Sequence, residues 1–82
     1  MHYIYLLQMK NDRIYVGYTT DLDRRFNEHA TGKGAKTTRA FGASKILYTE
    51  QYRSKSIALR REYELKRWSR EEKLLLVKTA KR

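Results

Sequence analysis

Two phenols, a guanidinium, an imidazole and a carboxylate occupy positions in this 82-residue chain that a plain packing pattern does not explain. Leu22, Arg25, Phe26 and His29 fall at i, i+3, i+4 and i+7, so one helical stripe holds all four while Asp23, Arg24, Asn27 and Glu28 face away. Arg25 then points among apolar side chains, where a cation is costly unless it meets an anion. His29 alone says less, because a histidine on an apolar stripe is more often a hydrogen-bonded packing residue. Farther along, Ala58, Leu59, Leu65 and Trp68 define an apolar arc that contains Glu62 and leaves Glu64 outside. A carboxylate on that arc either pairs with a cation such as Arg25 or binds a metal ion, and periodicity leaves both open. Tyr5 and Tyr15 have the same parity, so they share a sheet face only if an odd-length loop joins their strands. A three-residue loop, Lys10 to Asp12, sets Tyr5 beside Gly17 and Leu7 beside Tyr15, with Asn11 or Asp12 in the left-handed bulge position. Strand tyrosines are ordinarily packing residues. A glycine inside a strand, however, marks a close backbone approach.

The elements that must position these groups follow from local signals. His2 to Met9 and Arg13 to Tyr18 are rich in β-favouring residues and read as a hairpin about Lys10-Asn11-Asp12. Thr20 with Asp23 resembles a capping box, and Gly32 is a stop, which frames a helix over roughly residues 21 to 31. Thr31 to Ser44 reads as an ordered basic loop, and Ile46 to Tyr52 as a third strand. Ser54 or Ser56 caps a helix reaching about Trp68, and Ser69-Arg70-Glu71-Glu72 is a capping box opening a last helix to about Thr79. The order is ββαβαα, an α+β fold in one domain over residues 1 to 82.

Composition narrows the class of function. A chain this short buries only about 60–65% of its unfolded surface, so a second independent domain does not fit, while seven Tyr, two Phe and one Trp supply core bulk. With no Cys, a disulfide framework and a thiolate metal site are excluded. No apolar run reaches membrane-spanning length, and the first residues carry no basic leader, so a cytoplasmic setting is expected. Nineteen Lys and Arg against nine Asp and Glu give a formal charge of +10, with eleven basic and four acidic residues from Arg53 onward. That field attracts polyanions. The plainer alternative is a highly solvated surface; a membrane-surface role fits less well, because the basic stretches also carry core-facing residues.

Taken together, these residues resemble the GIY-YIG nuclease signature. Tyr3-Ile4-Tyr5 stands where that family has GIY and Tyr15-Val16-Gly17 where it has YIG, followed by Arg25, His29 and Glu62 in an Ala-Leu-x-x-Glu context. The tract Gly32-Lys33-Gly34-Ala35-Lys36 with Thr38-Arg39 is similar to the small stand-alone, UPF0213-like group of that superfamily. The resemblance covers nearly the whole chain. It implies a three-stranded antiparallel sheet flanked by helices, and hydrolysis of phosphodiesters with one divalent ion, Mg²⁺ or Mn²⁺. By the same resemblance Glu62 is the sole protein ligand of the metal and Arg25 binds the scissile phosphate. Tyr5 or Tyr15 activates the attacking water, and His29 accepts a proton or orients the phosphate. Two positions depart from the family pattern: Tyr3 replaces the Gly of GIY, and Tyr18 stands where some repair-nuclease relatives place a Lys.

The resulting expectation is a monomeric endonuclease acting on DNA, structure-selective or nonspecific, with Lys33, Lys36 and Arg39 holding flanking backbone phosphates. Two rivals stand beside it. One is a module that binds DNA or RNA through the same basic face without cutting. The other is an interaction domain that docks on a repair or processing protein through its last helix.

Overall fold

The computed structural model describes residues 1–31 and 42–80. Strand β1 (His2–Met9) turns at Lys10 to Asp12 into β2 (Ile14–Thr19), which leads into helix α1 (Leu22–Ala30). Strand β3 (Ala43–Tyr52), helix α2 (Lys55–Lys66) and helix α3 (Arg70–Ala80) complete the order ββαβαα. The three strands form one antiparallel sheet in the order β2-β1-β3, so the strand carrying Tyr5 lies at the centre. This is the α+β architecture the sequence predicts. Among the described residues no helix is long and apolar enough to cross a membrane.

The hairpin has the expected register, with Tyr5 opposite Gly17 and Leu7 opposite Tyr15. Asp12 takes the left-handed conformation at φ 67, and its N–H donates to the Met9 carbonyl at 2.9 Å. An Asp tolerates that region better than most side chains, which is why a turn without glycine works here.

The alternation of side chains along the strands divides the core in two. Tyr5 and Leu7 pack with Tyr15, Leu22, Phe26 and Ile46 on the face covered by α1. Ile4, Leu6 and Val16 pack with Ala58, Leu65 and Val77 on the face covered by α2 and α3. A bulge in β3 breaks its pairing with β1 between Leu6 and Leu7, so that Ile46 joins the first cluster and Leu47 and Tyr48 the second.

Helix ends follow the local signals with one exception. The reciprocal capping box of α3 is complete: Ser69 N–H donates to Glu72 Oε1 at 2.9 Å, and Glu72 N–H to Ser69 Oγ at 3.2 Å. Ser54 caps α2. At α1, however, the cap is Asp21, whose carboxylate accepts from Arg24 N–H at 3.0 Å, and not the predicted Thr20. The neighbouring Thr19 hydroxyl locks Asp21 by accepting its N–H at 3.0 Å, and a charged acceptor also complements the positive end of the helix. Ala43 and Ser44, read from the sequence as loop, belong to β3, because pairing with β1 continues to Met9. Gly32, Lys33, Lys36 and Arg39 lie outside the described residues.

Gly17 is required by what lies over it. A Cβ there would collide with the Cζ and Oη atoms of Tyr5, whose ring crosses from the central strand onto β2. A Gly17→Ala variant is therefore expected to lose about 1–3 kcal/mol, the usual cost of overpacking. In urea denaturation the double variant Tyr5→Ala/Gly17→Ala should be no less stable than Tyr5→Ala alone, since the clash is gone.

Candidate active site

The α1 stripe delivers its side chains as its spacing requires. Leu22, Arg25, Phe26 and His29 line one recess together with Tyr5, Leu7 and Ile46 from the sheet, and these side chains leave no space there for a water molecule. His29 is 1% exposed and Tyr5 2%. The Tyr5 hydroxyl and His29 Nε2 are 2.8 Å apart. Burial pushes the Tyr5 phenol up to about 12, against the lowering influence of the Arg25 guanidinium beside it. Burial, then the charge of Arg25, pushes His29 below its ordinary 6.5, with Glu28 opposing. Both groups are thus neutral near pH 7. Two neutral groups can share this bond in either direction, the phenol O–H donating to Nε2 or Nε2–H donating to the phenol oxygen, according to the imidazole tautomer.

Tyr15 completes an aromatic triangle. Its ring meets His29 edge-on at 5.3 Å between centroids and lies 6.3 Å from the ring of Tyr5. Unlike Tyr5 it is only half-buried, so it is the more accessible of the two phenols.

The charged members are placed differently from the simplest expectation. Arg25 is not sealed among core side chains: its side chain is 29% exposed and donates to Glu28 Oε1 at 3.3 Å, on its own helix. That pair is partly solvated and worth at most a few tenths of a kcal/mol to ~1 kcal/mol. Glu62 is 19% exposed, between the buried Ala58 and Leu65 on α2, and its carboxylate lies 3.5 Å from Lys66 Nζ. An Arg25–Glu62 ion pair, one of the two readings open from periodicity, is absent among the described residues, and each charge has a partner from its own helix. Leu59, assigned to the same arc, is 39% exposed instead.

Helix α2 covers the sheet face opposite α1, so Glu62 and the two phenols come from opposite faces of the sheet. Because Gly17 has no side chain, the Tyr5 ring extends across β2. The negative charge of Glu62 acts on the Tyr5 hydroxyl, helping to raise it. No hydrogen bond joins Glu62 to Tyr5 among the described residues; their coupling is electrostatic. Tyr5, Tyr15, Arg25 and His29 are thus drawn together directly, with Glu62 approaching from the far helix.

One cluster escaped sequence reasoning. Glu50 on β3 accepts from Tyr48 Oη at 2.7 Å, Tyr52 Oη at 2.6 Å, and Arg61 Nε and Nη2 at 2.8 and 2.9 Å. Arg61 also lies over the Trp68 ring, 5.2 Å from its centroid. A signal was present in the Tyr-x-Glu-x-Tyr spacing of Tyr48, Glu50 and Tyr52, which puts an acid between two phenols on one strand face.

The buried Tyr5–His29 bond yields a pH prediction. A folded-state pKa below the unfolded value means the unfolded chain binds a proton first as pH falls. The stability that neutral His29 contributes is present above about 6.5 and is lost as pH drops below it. The imidazole resonances of His29 should accordingly titrate below those of a denatured reference in NMR. A midpoint at or above 6.5 would contradict the neutral pair.

Comparisons with known proteins agree with this fold. Residues 1–74 match the GIY-YIG catalytic domain. The UPF0213 protein BH0048 of Halalkalibacterium halodurans is 50% identical over 76 residues, covering 93% of this chain and 81% of that one. The UPF0213 protein SH2523 of Staphylococcus haemolyticus is 43% identical over 76 residues, covering 93% of each. The solution NMR structure of the UPF0213 protein BH0048 from Bacillus halodurans superposes with a TM-score of 0.61 at 49% identity, covering 95% of this chain and 83% of that one. Sequence signature, sheet topology and these matches together make the chain a member of the GIY-YIG catalytic-domain family, with the UPF0213 proteins as its relatives.

Proposed function

We propose that this domain is an endonuclease that hydrolyses phosphodiester bonds in DNA with one divalent metal ion, Mg²⁺ or Mn²⁺. The observation carrying the proposal is the convergence of Tyr5, Tyr15, His29 and Arg25 in one recess, with the charge of Glu62 acting on it, in a chain of net charge +10.

Glu62 suits the ion. Its carboxylate is half-buried, and the partner it has, Lys66, is 52% exposed and 3.5 Å away, so that contact is readily given up. Among the described residues no group of three or more His, Asp or Glu is arranged to hold a metal. A hard cation held by a single carboxylate, with waters and substrate phosphate filling the remaining positions, matches this supply of ligands. Once bound, such an ion neutralises charge on the phosphate oxygens.

The chain's own groups then divide the work. Arg25, with its guanidinium partly exposed at the rim, binds the scissile phosphate and stabilises the charge that builds on it. Tyr5 is a poor base, since its phenol is pushed up to about 12 and its oxygen is already engaged by the bond with His29. Tyr15, the more exposed phenol, acts as base in its phenolate form, its own proton having gone to solvent: it takes a proton from the attacking water, whose oxygen bonds to phosphorus as the P–O bond to the leaving strand breaks, and the leaving oxygen takes a proton from solvent. His29 stays neutral and holds both rings in place by the Tyr5 bond and the edge contact with Tyr15. Lys33, Lys36 and Arg39 supply the flanking phosphate contacts, and the domain acts as a monomer.

The test is a nicking assay on branched, nicked, blunt and single-stranded DNA with Mn²⁺, repeated with EDTA. Metal-dependent cleavage of at least one substrate is expected. A wild-type protein that binds DNA but cuts none of the panel would leave a non-cleaving DNA- or RNA-binding module in its place.

A further inference from the structure

Helix α2 carries separate chemistry on the side turned away from the sheet. Tyr63 is 66% exposed, and no other aromatic side chain among the described residues is exposed to a comparable degree. Arg60 and Arg67 stand at i−3 and i+4 from it, so the three share one helical stripe. Arg67 lies over the Tyr63 ring, 5.8 Å from its centroid. With Trp68 they border an open depression of about 420 Å³ whose other members are Glu64 and Glu72.

The charges around that depression are not balanced. Glu64 is taken by Arg61, and Glu72 by the capping box of α3. Neither Arg60 nor Arg67 has an ion-pair partner among the described residues. An exposed tyrosine by itself needs no explanation. An exposed phenol between two guanidiniums that no carboxylate neutralises is a stacking platform with phosphate anchors on either side, the ring face away from Arg67 being open to a base, the combination that single-stranded nucleic acid requires. The two arginines stand about 10 Å apart along the helix, within reach of the phosphates flanking one base.

We propose that Arg60, Tyr63 and Arg67 form a second nucleic-acid contact that takes an unpaired nucleotide, its base stacked on Tyr63 and its flanking phosphates on the two arginines. Glu62 is the residue next to Tyr63, one helical step around α2, so a strand held on this ridge lies beside the Glu62 carboxylate. The substrate class is therefore DNA with an unpaired segment beside the cleaved bond. This inference rests on the nucleic-acid reading above and adds to it the form of the substrate.

Fluorescence anisotropy with a labelled 12-nucleotide oligothymidylate and a labelled blunt duplex tests it on the full chain. Tyr63→Leu is expected to weaken single-strand binding roughly 5- to 150-fold, the range for losing one stacked base, with Tyr63→Phe close to wild type and the duplex little changed. Arg60→Gln/Arg67→Gln should flatten the salt dependence of single-strand binding by about 1.4 in log–log slope. Because all three side chains lie outside the two core clusters, the circular dichroism spectra should match wild type. Single-strand binding by Tyr63→Leu equal to wild type overturns the ridge, as does a wild type that ignores single strands. If nicking persists in either case, hydrolysis stands without the ridge. If the single-strand pattern appears but nothing is cut, the ridge stands and the hydrolytic reading falls.

Discussion

Glu62→Gln is expected to reduce metal-dependent nicking by about 10³-fold or more while leaving salt-sensitive DNA binding nearly intact. The size follows from what the carboxylate would hold: a metal ion on a phosphoryl oxygen is worth several kcal/mol in the transition state, and each 1.36 kcal/mol is tenfold in rate. The stability change should be small. The pair that Glu62 makes with Lys66 spans 3.5 Å, Lys66 is 52% exposed, and a solvated pair of this kind contributes about 0–1 kcal/mol. Activity and folding are therefore separable in this variant, which is what makes it informative. Arg25→Lys is expected to cost about 10²-fold in cleavage, because an ammonium keeps the charge but not the planar two-point contact with phosphate. Glu62→Gln that nicks as well as wild type at saturating Mn²⁺ would remove the carboxylate from the chemistry.

The largest expected effect on stability lies on the other face of the sheet. Burial alone would raise the Glu50 carboxyl, but hydrogen bonds from Arg61, Tyr48 and Tyr52, then the charge of Arg61, outweigh it and hold the group down at about 2. Burial and their bonds to Glu50 push Tyr48 and Tyr52 up to about 12. The Glu50 side chain is 12% exposed and that of Arg61 23%, so solvent screens the pair little. Removing one partner leaves the other charge largely out of water, and Glu50→Gln or Arg61→Met should each cost on the order of 3–5 kcal/mol. The loss in the double variant should be well short of the sum. Because the folded-state pKa is depressed, the contribution is complete above the ordinary 4.5 and is lost as pH falls toward 2. Urea denaturation at pH 7 and pH 3 measures both effects. A loss below ~1 kcal/mol for Glu50→Gln at pH 7 would show that the cluster does not support the fold.

These two effects fall on the same helix. Arg61 and Glu62 are adjacent in α2, and Arg61 ties the helix to β3 through Glu50. The Arg61–Glu50 bonds thus fix the rotation of α2 about its axis, and with it the direction in which Glu62 points. A weakened Glu50 cluster is expected to loosen the placement of Glu62 as well, so cleavage by Arg61→Met should fall further than its remaining folded fraction explains.

Much of this was already legible in local patterns, for physical reasons that are themselves local. A three-residue turn sets hairpin parity, so the pairing of Tyr5 with Gly17 was readable from the loop length alone. The i, i+3, i+4, i+7 spacing of Leu22, Arg25, Phe26 and His29 obliged them to share a face, and Ser69 with Glu72 announced the start of α3. The partners of the charges were another matter. Arg25 has Glu28 and Glu62 has Lys66, each within its own helix, while the acid and base that do cross between elements are Glu50 and Arg61. Spacing shows which way a side chain faces within one helix or strand. It carries no information on how far a second element lies from that face or how it is turned, since packing over the whole sheet sets both. For that reason the set of candidate residues belonged to the sequence. The Tyr5–His29 bond, the exposure of Tyr15 over Tyr5, and the reach of the Tyr5 ring across Gly17 were decided by the tertiary structure.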